Sequence, residues 1–318
     1  MHTYLNKQLE ALDWNLSPRE LYLPIGYTLE SGGKRIRPAL VLMGCELFGG
    51  SKEDALPAAL AIEVFHNFTL LHDDIMDHAE TRRNRLTVHK KWDANTAILS
   101  GDAMMIKSYQ FLEKTPVKYW TNIFPIFTRT ALEVCEGQQY DMNFESCEEV
   151  ALDEYFNMIR LKTAVLLGAA LQIGAILGGA SDEDAVNLYE FGIAMGIAFQ
   201  LRDDYLDTYG DATTFGKRIG GDIVCGKKTF LLINALAKSD SKKRHRLKAT
   251  LNDTTISEQA KITSIRSMYN ELTIPQLCEE AMADYYNRGM EALSKISGHK
   301  TDKQPLINLA KQLMGRID

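Results

Sequence analysis

Proline is absent from residues 126–274, a stretch of 149 residues between Pro125 and Pro275. Because proline breaks the interior of an α-helix, so long a stretch without it favours helices. Apolar residues recur at helical spacing, as in Leu56, Leu60 and Val64. Patterns that alternate between apolar and polar residues, as in strands, are scarce. The sequence therefore predicts an all-α fold of about a dozen helices, in a single domain over residues 1–318.

Composition narrows the class of protein further. The chain carries 36 Lys and Arg against 42 Asp and Glu, a net charge of −6, which disfavours a nucleic-acid partner. The five cysteines show no metal or disulfide spacing, so we expect reduced thiols, packed as small apolar side chains, in a cytoplasmic protein. The apolar run at 164–180 contains Gln172 and four glycines and falls short of a membrane span. We expect it to be a buried helix.

The pattern Asp-Asp-x-x-Asp occurs twice, at 73–77 and at 203–207, each time after an apolar helical segment. On a helix the first and last Asp of each copy lie on one face, where like charges repel. Divalent cations relieve such repulsion, and Mg²⁺ prefers a few carboxylates together with substrate phosphates. A solvated helix end is the alternative for one copy alone, whereas two identical copies favour a metal site.

Basic residues cluster near both acidic turns. They occur in GGKRIRP at 32–38, as a pair at 82–83, and at Lys217 and Lys227. Arginine forks and lysine ammonium groups suit phosphate oxygens. Because the glycine-rich phosphate loops of nucleotide-binding proteins are absent from the sequence, we expect the bound phosphate not to belong to a mononucleotide. Surface ion pairing is the alternative for any single cluster.

An ordered series of motifs between residues 24 and 236 resembles the trans-type polyprenyl diphosphate synthases. The series comprises GGKRIRP at 32–38, LLHDDIMD at 70–77, RR at 82–83, SGD at 100–102, EGQ at 136–138, KTA at 162–164, FQLRDDYLD at 199–207 and GGDIVCGKKT at 220–229. The resemblance implies an all-α, isoprenoid-synthase-type helical bundle around a central cavity, usually homodimeric. Two positions depart from the usual pattern: Asn84 stands where Gly is usual, and Cys225 where an acidic residue is frequent.

The same resemblance implies roles for individual residues. The Mg²⁺ ions, usually three, would be bound by Asp73, Asp77 and Asp203, with Asp74 and Asp207 assisting directly or through water. The allylic diphosphate would be bound by Arg82, Lys162, Lys217 and Lys227. Isopentenyl diphosphate would be bound by Lys34, Arg37, His66 and Arg83. Thr163 and Gln200 would direct oxygen atoms towards the developing allylic cation.

The activity that the resemblance implies is condensation of isopentenyl diphosphate with dimethylallyl, geranyl or farnesyl diphosphate. In related synthases a bulky residue five positions before the first acidic motif limits the product. Phe68 followed by the small Thr69 therefore predicts geranylgeranyl diphosphate, with farnesyl diphosphate as the alternative. Ordinary core packing is the other role open to Phe68, in which case Met104 and Met105 are candidates for the floor.

Three other functions are less consistent with the sequence. A terpene cyclase normally carries a different second metal motif from the one at 203–207. A non-catalytic synthase subunit is expected to have lost charged ligands, which this chain keeps. A metal-dependent phosphohydrolase needs a second set of histidine ligands at a suitable spacing, and the sequence offers none.

Overall fold

The computed structural model describes residues 1–210, 219–297 and 302–315. Lys217, which we expect to bind the allylic diphosphate, lies outside the described residues. Within them, helices account for nearly all regular structure, which confirms the all-α prediction. The helices outnumber the expected dozen, because several are only one or two turns long.

The elements follow one another in a simple order. The first helices are α1 (His2–Glu10), α2 (Arg19–Leu29), α3 (Ile36–Leu47), α4 (Lys52–Met76), α5 (Val88–Lys91) and α6 (Ala94–Leu112). A hairpin of β1 (Thr81–Arg82) and β2 (Arg85–Leu86) connects α4 to α5. A 3₁₀ turn (Val117–Tyr119) then leads into α7 (Trp120–Ser146), α8 (Leu152–Ile159), a π-helical turn (Arg160–Ala164), α9 (Val165–Leu177) and α10 (Asp182–Tyr209). The remaining helices are α11 (Gly221–Cys225), α12 (Phe230–Lys238), α13 (Ser241–Asn252), α14 (Glu258–Glu271), α15 (Ile274–Lys295) and α16 (Gln304–Met314).

The chain divides into two compact units. The first comprises Met1–Thr128, Ala169–Tyr189 and Ile296–Asp302, and the second comprises Arg129–Gly168, Glu190–Lys295 and Lys303–Asp318. The first acidic turn closes α4 in the first unit, and the second lies near the end of α10 in the second unit.

Glycines allow α3 and α9 to touch in the first unit. A Cβ atom at Gly44 would lie 2.6 Å from the Leu171 carbonyl oxygen, and one at Gly174 would lie 2.1 Å from the Val41 carbonyl oxygen. Contacts this short leave no room for a side chain, so the two backbones pack directly on each other. Helix packing therefore explains Gly174 in the apolar run, and also Gly178, whose Cβ atom would lie 2.5 Å from the Cys45 carbonyl oxygen. Gly179 is different, because it has open space around it and a left-handed backbone with φ of 87°.

The apolar run itself is buried, as we expected. One segment, Leu152–Leu177, is long and apolar enough to cross a membrane, but 78% of its most apolar window is buried inside the protein. A helix that is apolar on all sides belongs in a protein core when its surface is already covered.

In the second unit a core of apolar side chains surrounds the end of α10. Leu201 on α10, Tyr155 on α8, Leu231 on α12, Tyr269 on α14 and Cys278 on α15 all belong to this cluster and are buried. Packing from four helices fixes the orientation of α10 where the second acidic turn begins.

The cysteines match the sequence expectation only in part. All five are free thiols, but only Cys45 and Cys278 are buried. Cys135, Cys147 and Cys225 are exposed, so the expectation that every cysteine packs as a small apolar side chain is wrong for these three.

We expect Gly174→Ala to lower the free energy of unfolding by about 1–3 kcal/mol, because the added methyl group would meet backbone that has no room to move. The matched control is Gly26→Ala in α2, whose Cβ would lie 3.4 Å from Trp14, an ordinary contact. The control should be neutral or gain up to about 1 kcal/mol from helix propensity. Urea unfolding of both variants measures the difference, and a Gly174→Ala variant as stable as wild type would contradict the close approach of α3 and α9.

Candidate active site

The first acidic turn is held by Arg82 from the β1–β2 hairpin. Arg82 donates from Nε to Asp74 Oδ1 at 2.6 Å and from Nη2 to Asp73 Oδ2 at 3.2 Å. Asp74 is buried, and burial raises the pKa of its carboxyl group while Arg82 opposes that shift. Asp77 is exposed at the C-cap of α4. Arg82, which we expect to bind the allylic diphosphate, therefore already bridges two carboxylates of this turn.

The hairpin turn carries the next predicted ligand, Arg83. Arg83 and Asn84 both have left-handed backbones, with φ of 53° and 61°, as a two-residue type I′ turn requires. Asparagine adopts this conformation more readily than most residues, so Asn84 can stand where the family usually has Gly. The Arg83 guanidinium donates to the Gly32 carbonyl and to Ser31 Oγ, which ties the hairpin to the loop before α3.

Two more of the predicted isopentenyl diphosphate ligands are in direct contact. Arg37 Nη1 donates to His66 Nε2 over 3.1 Å. Arginine cannot accept, so this nitrogen of His66 carries no proton, and burial together with Arg37 holds the pKa of His66 well below its usual range. Burial also lowers the pKa of Arg37 to about 10, and its Nε is buried without a hydrogen-bond partner among the described residues. Lys34 is exposed on the loop before α3. We call Lys34, Arg37, His66 and Arg83 the cation group.

In the second unit a π-helical turn presents Lys162 and Thr163. A Cβ atom at Gly137 on α7 would lie 2.2 Å from the Lys162 backbone nitrogen, so glycine is what lets α7 approach this turn. Lys162 Nζ donates to Asp141 Oδ2 on α7 at 2.6 Å. Turns of this kind are frequent at functional sites. Asp141 is a site residue with no predicted role, although it lies only three positions after the EGQ motif.

A chain of hydrogen bonds runs from Thr163 to the second acidic turn. Thr163 Oγ1 donates to Gln200 Oε1 at 3.2 Å, and Gln200 Nε2 donates to Asp204 Oδ1 at 3.1 Å. Asp204 is buried and also accepts from the Tyr155 hydroxyl at 2.6 Å and from the Phe230 backbone nitrogen. Burial raises the pKa of Tyr155 well above its usual value, so its hydroxyl stays protonated and donates. Because Asp204 accepts from the amide nitrogen of Gln200, the amide oxygen of Gln200 is turned towards Thr163.

The segment after α10 places a further carboxylate beside this turn. Asp207 Oδ2 accepts from the Asp222 backbone nitrogen at 3.0 Å. Burial raises the pKa of the Asp222 carboxyl group to about 7, an effect that Lys227 counters and Asp204 reinforces. Asp222 had no predicted role, although it is the single acidic residue of the GGDIVCGKKT motif. Cys225, the second departure from the family pattern, is exposed at the last residue of α11.

The described carboxylates suit Mg²⁺ by the chemistry of their oxygen donors. Residues 1–210, 219–297 and 302–315 contain no group of three His, Cys, Asp or Glu that could hold a metal ion by itself. Mg²⁺ does not require such a cage, because it binds through one or two carboxylates and completes its shell with water and substrate phosphates. The Arg82 guanidinium on Asp73 and Asp74 shows that the first turn accommodates positive charge.

The residues predicted to set product length lie one turn below the first acidic turn. Phe68 is buried, with its ring 5.5 Å from that of Phe65 and 4.8 Å from that of His72. Thr69 Oγ1 donates back to the His66 carbonyl. Of the two alternative floor residues, Met104 is fully buried and Met105 is exposed.

We expect Tyr155→Phe to destabilise the protein by about 1–3 kcal/mol, because buried Asp204 would lose a donor without gaining access to water. The matched control is Tyr209→Phe, which removes an exposed hydrogen bond to Asn270 and should cost no more than about 1 kcal/mol. Urea unfolding of both variants provides the comparison. Equal losses would show that Asp204 does not depend on Tyr155.

Comparison with known proteins identifies the family. The family model of polyprenyl synthetases matches residues 18–272. A geranylgeranyl diphosphate synthase of Methanosarcina mazei is 45% identical over 224 residues, 70% of this chain and 69% of that protein. One of Sulfolobus acidocaldarius is 39% identical over 285 residues, 87% of this chain and 85% of that protein. A crystal structure of a geranylgeranyl pyrophosphate synthase superimposes with a TM-score of 0.93 at 42% identity, covering 99% of this chain and 98% of that one. The chain therefore belongs to the polyprenyl synthetase family of trans-prenyltransferases.

Proposed function

We propose that this chain condenses isopentenyl diphosphate with an allylic diphosphate and releases geranylgeranyl diphosphate as its main product. The proposal rests on the β1–β2 hairpin, because its two neighbouring arginines contact different parts of the site. Arg82 donates to the carboxylates of the first acidic turn, and Arg83 donates to the loop before α3, which carries Lys34. Adjacent sites for two diphosphates are what a condensation of two such substrates needs.

The metal and the diphosphates are assigned to residues as the family resemblance implies. Mg²⁺, in three ions, is bound by Asp73, Asp77 and Asp203 with the help of Asp74 and Asp207. The allylic diphosphate is bound by Arg82, Lys162, Lys217 and Lys227, and isopentenyl diphosphate by the cation group. When bound, Mg²⁺ supplies positive charge that stabilises the departing diphosphate.

The protein contributes charge stabilisation and positioning without a covalent intermediate. Arg82 and Lys162 hold the allylic diphosphate while its carbon–oxygen bond breaks. Thr163 and Gln200 present oxygen atoms to the allylic cation, in the orientation that Asp204 imposes on the Gln200 amide. The double bond of isopentenyl diphosphate attacks that cation to form the new carbon–carbon bond, and a proton passes to an oxygen of the departing diphosphate.

We also propose that the protein works in the cytoplasm as a homodimer of single catalytic domains. The support for a dimer is an exposed apolar stripe on α6, formed by Ile98, Leu99, Met105 and Ile106. These residues recur at a spacing of seven, so they share one face of the helix. Exposed apolar stripes mark interaction surfaces, and the second copy is the occupant that the family resemblance implies. The structure describes all five cysteines as free thiols, as is usual for proteins of the cytoplasm.

We expect Asp73→Ala and Asp203→Ala each to lower kcat at least about 10²–10³-fold, because each removes a carboxylate that binds the charge-stabilising metal. Circular dichroism should show unchanged helicity. The matched control is Asp284→Ala, which removes an exposed carboxylate paired with Arg288 and should leave turnover unchanged. Near-normal turnover in either acidic-turn variant would contradict the metal assignment.

Phe68 is the proposed floor of the space for the growing prenyl chain. Its side chain is backed by Phe65, whose ring lies 5.6 Å from Phe127, and that ring lies 5.0 Å from Tyr109. A floor supported by a series of rings resists displacement by a longer chain. Farnesyl diphosphate, the alternative that we drew from the sequence, has less support, because relatives at 45% and 39% identity are named geranylgeranyl diphosphate synthases.

We expect Phe68→Ala to shift the main product from twenty carbons to twenty-five or more, because removing the ring opens space below the metal site. Chromatography of dephosphorylated products reports chain length directly. Val186→Ala is the matched control, since this apolar side chain on α10 is exposed, lies outside the proposed dimer stripe, and its loss should leave the product unchanged. An unchanged product in Phe68→Ala would move the floor to another residue, with buried Met104 as the next candidate.

A further inference from the structure

We propose that a buried ion pair between Arg35 and Glu63 positions the ligands for isopentenyl diphosphate. The two side chains are 4% and 3% exposed, and Arg35 Nη1 lies 2.5 Å from Glu63 Oε1. Both are therefore positioning residues rather than ligands. The inference rests on the proposed function, since it assumes that Lys34, Arg37 and His66 bind this substrate.

Arg35 lies between the lysine ligand on the loop before α3 and the arginine ligand in the first turn of α3. Its backbone is left-handed at the N-cap of α3, with φ of 49°, a conformation that residues other than glycine adopt rarely. Hydrogen bonds of the Arg35 side chain stabilise this backbone conformation. Nη2 donates to the Leu29 carbonyl at 2.5 Å, and Nε donates to Asn6 Oδ1 at 3.4 Å. With the Arg35 side chain buried, Lys34 on one side is exposed and Arg37 on the other reaches His66.

Glu63 anchors the opposite side of the same contact on α4. Asn67 Nδ2 donates to Glu63 Oε1 at 3.0 Å, so the carboxylate is held by its own helix as well as by Arg35. His66 follows Glu63 by three residues, close to one helical turn. The Arg35–Glu63 and Arg37–His66 contacts are thus two successive links between the start of α3 and α4. Together they fix where the Arg37 guanidinium lies.

Glu63 also counters repulsion among the arginines. Its charge raises the pKa of Arg37 and of Arg83, against the burial that lowers both. Arg83 in turn donates to the Gly32 carbonyl on the loop that Arg35 anchors. Glu63 therefore helps to keep several guanidinium groups close together before a diphosphate arrives.

A role in stability alone is the competing explanation, and it can be separated from positioning. Replacing a buried ion pair by apolar residues of similar volume is often neutral or stabilising, whereas removing one partner leaves a buried charge. The informative variant is therefore the double replacement Arg35→Met with Glu63→Leu. The matched control is Glu46→Leu with Lys52→Met, which removes an exposed 2.6 Å pair between the other end of α3 and the start of α4.

Two measurements test the pair, and the first of them does not depend on turnover. Calorimetry gives the dissociation constant for isopentenyl diphosphate, and steady-state kinetics with farnesyl diphosphate gives KM for each substrate and kcat. In the double variant we expect the dissociation constant and the KM for isopentenyl diphosphate to rise at least about tenfold, as when support for a ligand is removed. The KM for farnesyl diphosphate, kcat at saturation and the thermal midpoint should stay near wild type, and the control pair should change nothing.

A folded double variant that binds isopentenyl diphosphate like wild type would overturn the inference, as would equal increases in KM for both substrates. If the double variant does not fold, Arg35→Lys decides, because lysine keeps the charge but has one nitrogen in place of the three that bond Asn6, Glu63 and Leu29. A raised dissociation constant in Arg35→Lys supports positioning, and an unchanged one overturns it. Wild-type protein that binds isopentenyl diphosphate without turning it over would refute the proposed function and leave the calorimetric test of the pair intact.

Discussion

A carboxylate buried at the end of an apolar helix needs donors, and both acidic turns obey this constraint in the same way. In each Asp-Asp-x-x-Asp repeat the middle residue, Asp74 or Asp204, is the buried one. Successive helical residues are turned by about 100°, so the middle carboxylate points about 100° away from the first and about 60° away from the last, and can face inward while those two stay nearer the surface. Arg82 satisfies Asp74, and Tyr155 with Gln200 satisfies Asp204.

The donors of these buried carboxylates determine what else the site can do. The hydrogen bond from Arg82 to Asp74 fixes the hairpin, and the hairpin brings Arg83 to the loop before α3. Satisfying Asp204 turns the Gln200 amide oxygen towards Thr163. One structural requirement thus orients groups that the proposed reaction uses on both diphosphates and on the allylic cation.

The sequence predicted what depends on local spacing. The absence of proline from residues 126–274 indicated helices, and the i, i+4 aspartates indicated paired faces. It could not predict contacts between distant positions, such as Arg35 with Glu63 across 28 residues or Tyr155 with Asp204 across 49. Asn84 in a left-handed turn and the exposure of three cysteines likewise depend on tertiary structure. Asp141 and Asp222 were missed because their roles come from neighbours that only folding supplies.

The most direct test of the central claim is the product formed by wild-type protein from isopentenyl diphosphate and Mg²⁺ with dimethylallyl, geranyl or farnesyl diphosphate. Separation of the products by chain length reports the reaction and its limit together. The proposed function, with Phe68 as the floor for the growing chain, predicts extension of all three primers to twenty carbons. Extension that stops at another length would contradict Phe68 as the floor. No extension from any primer would contradict the proposed condensation itself.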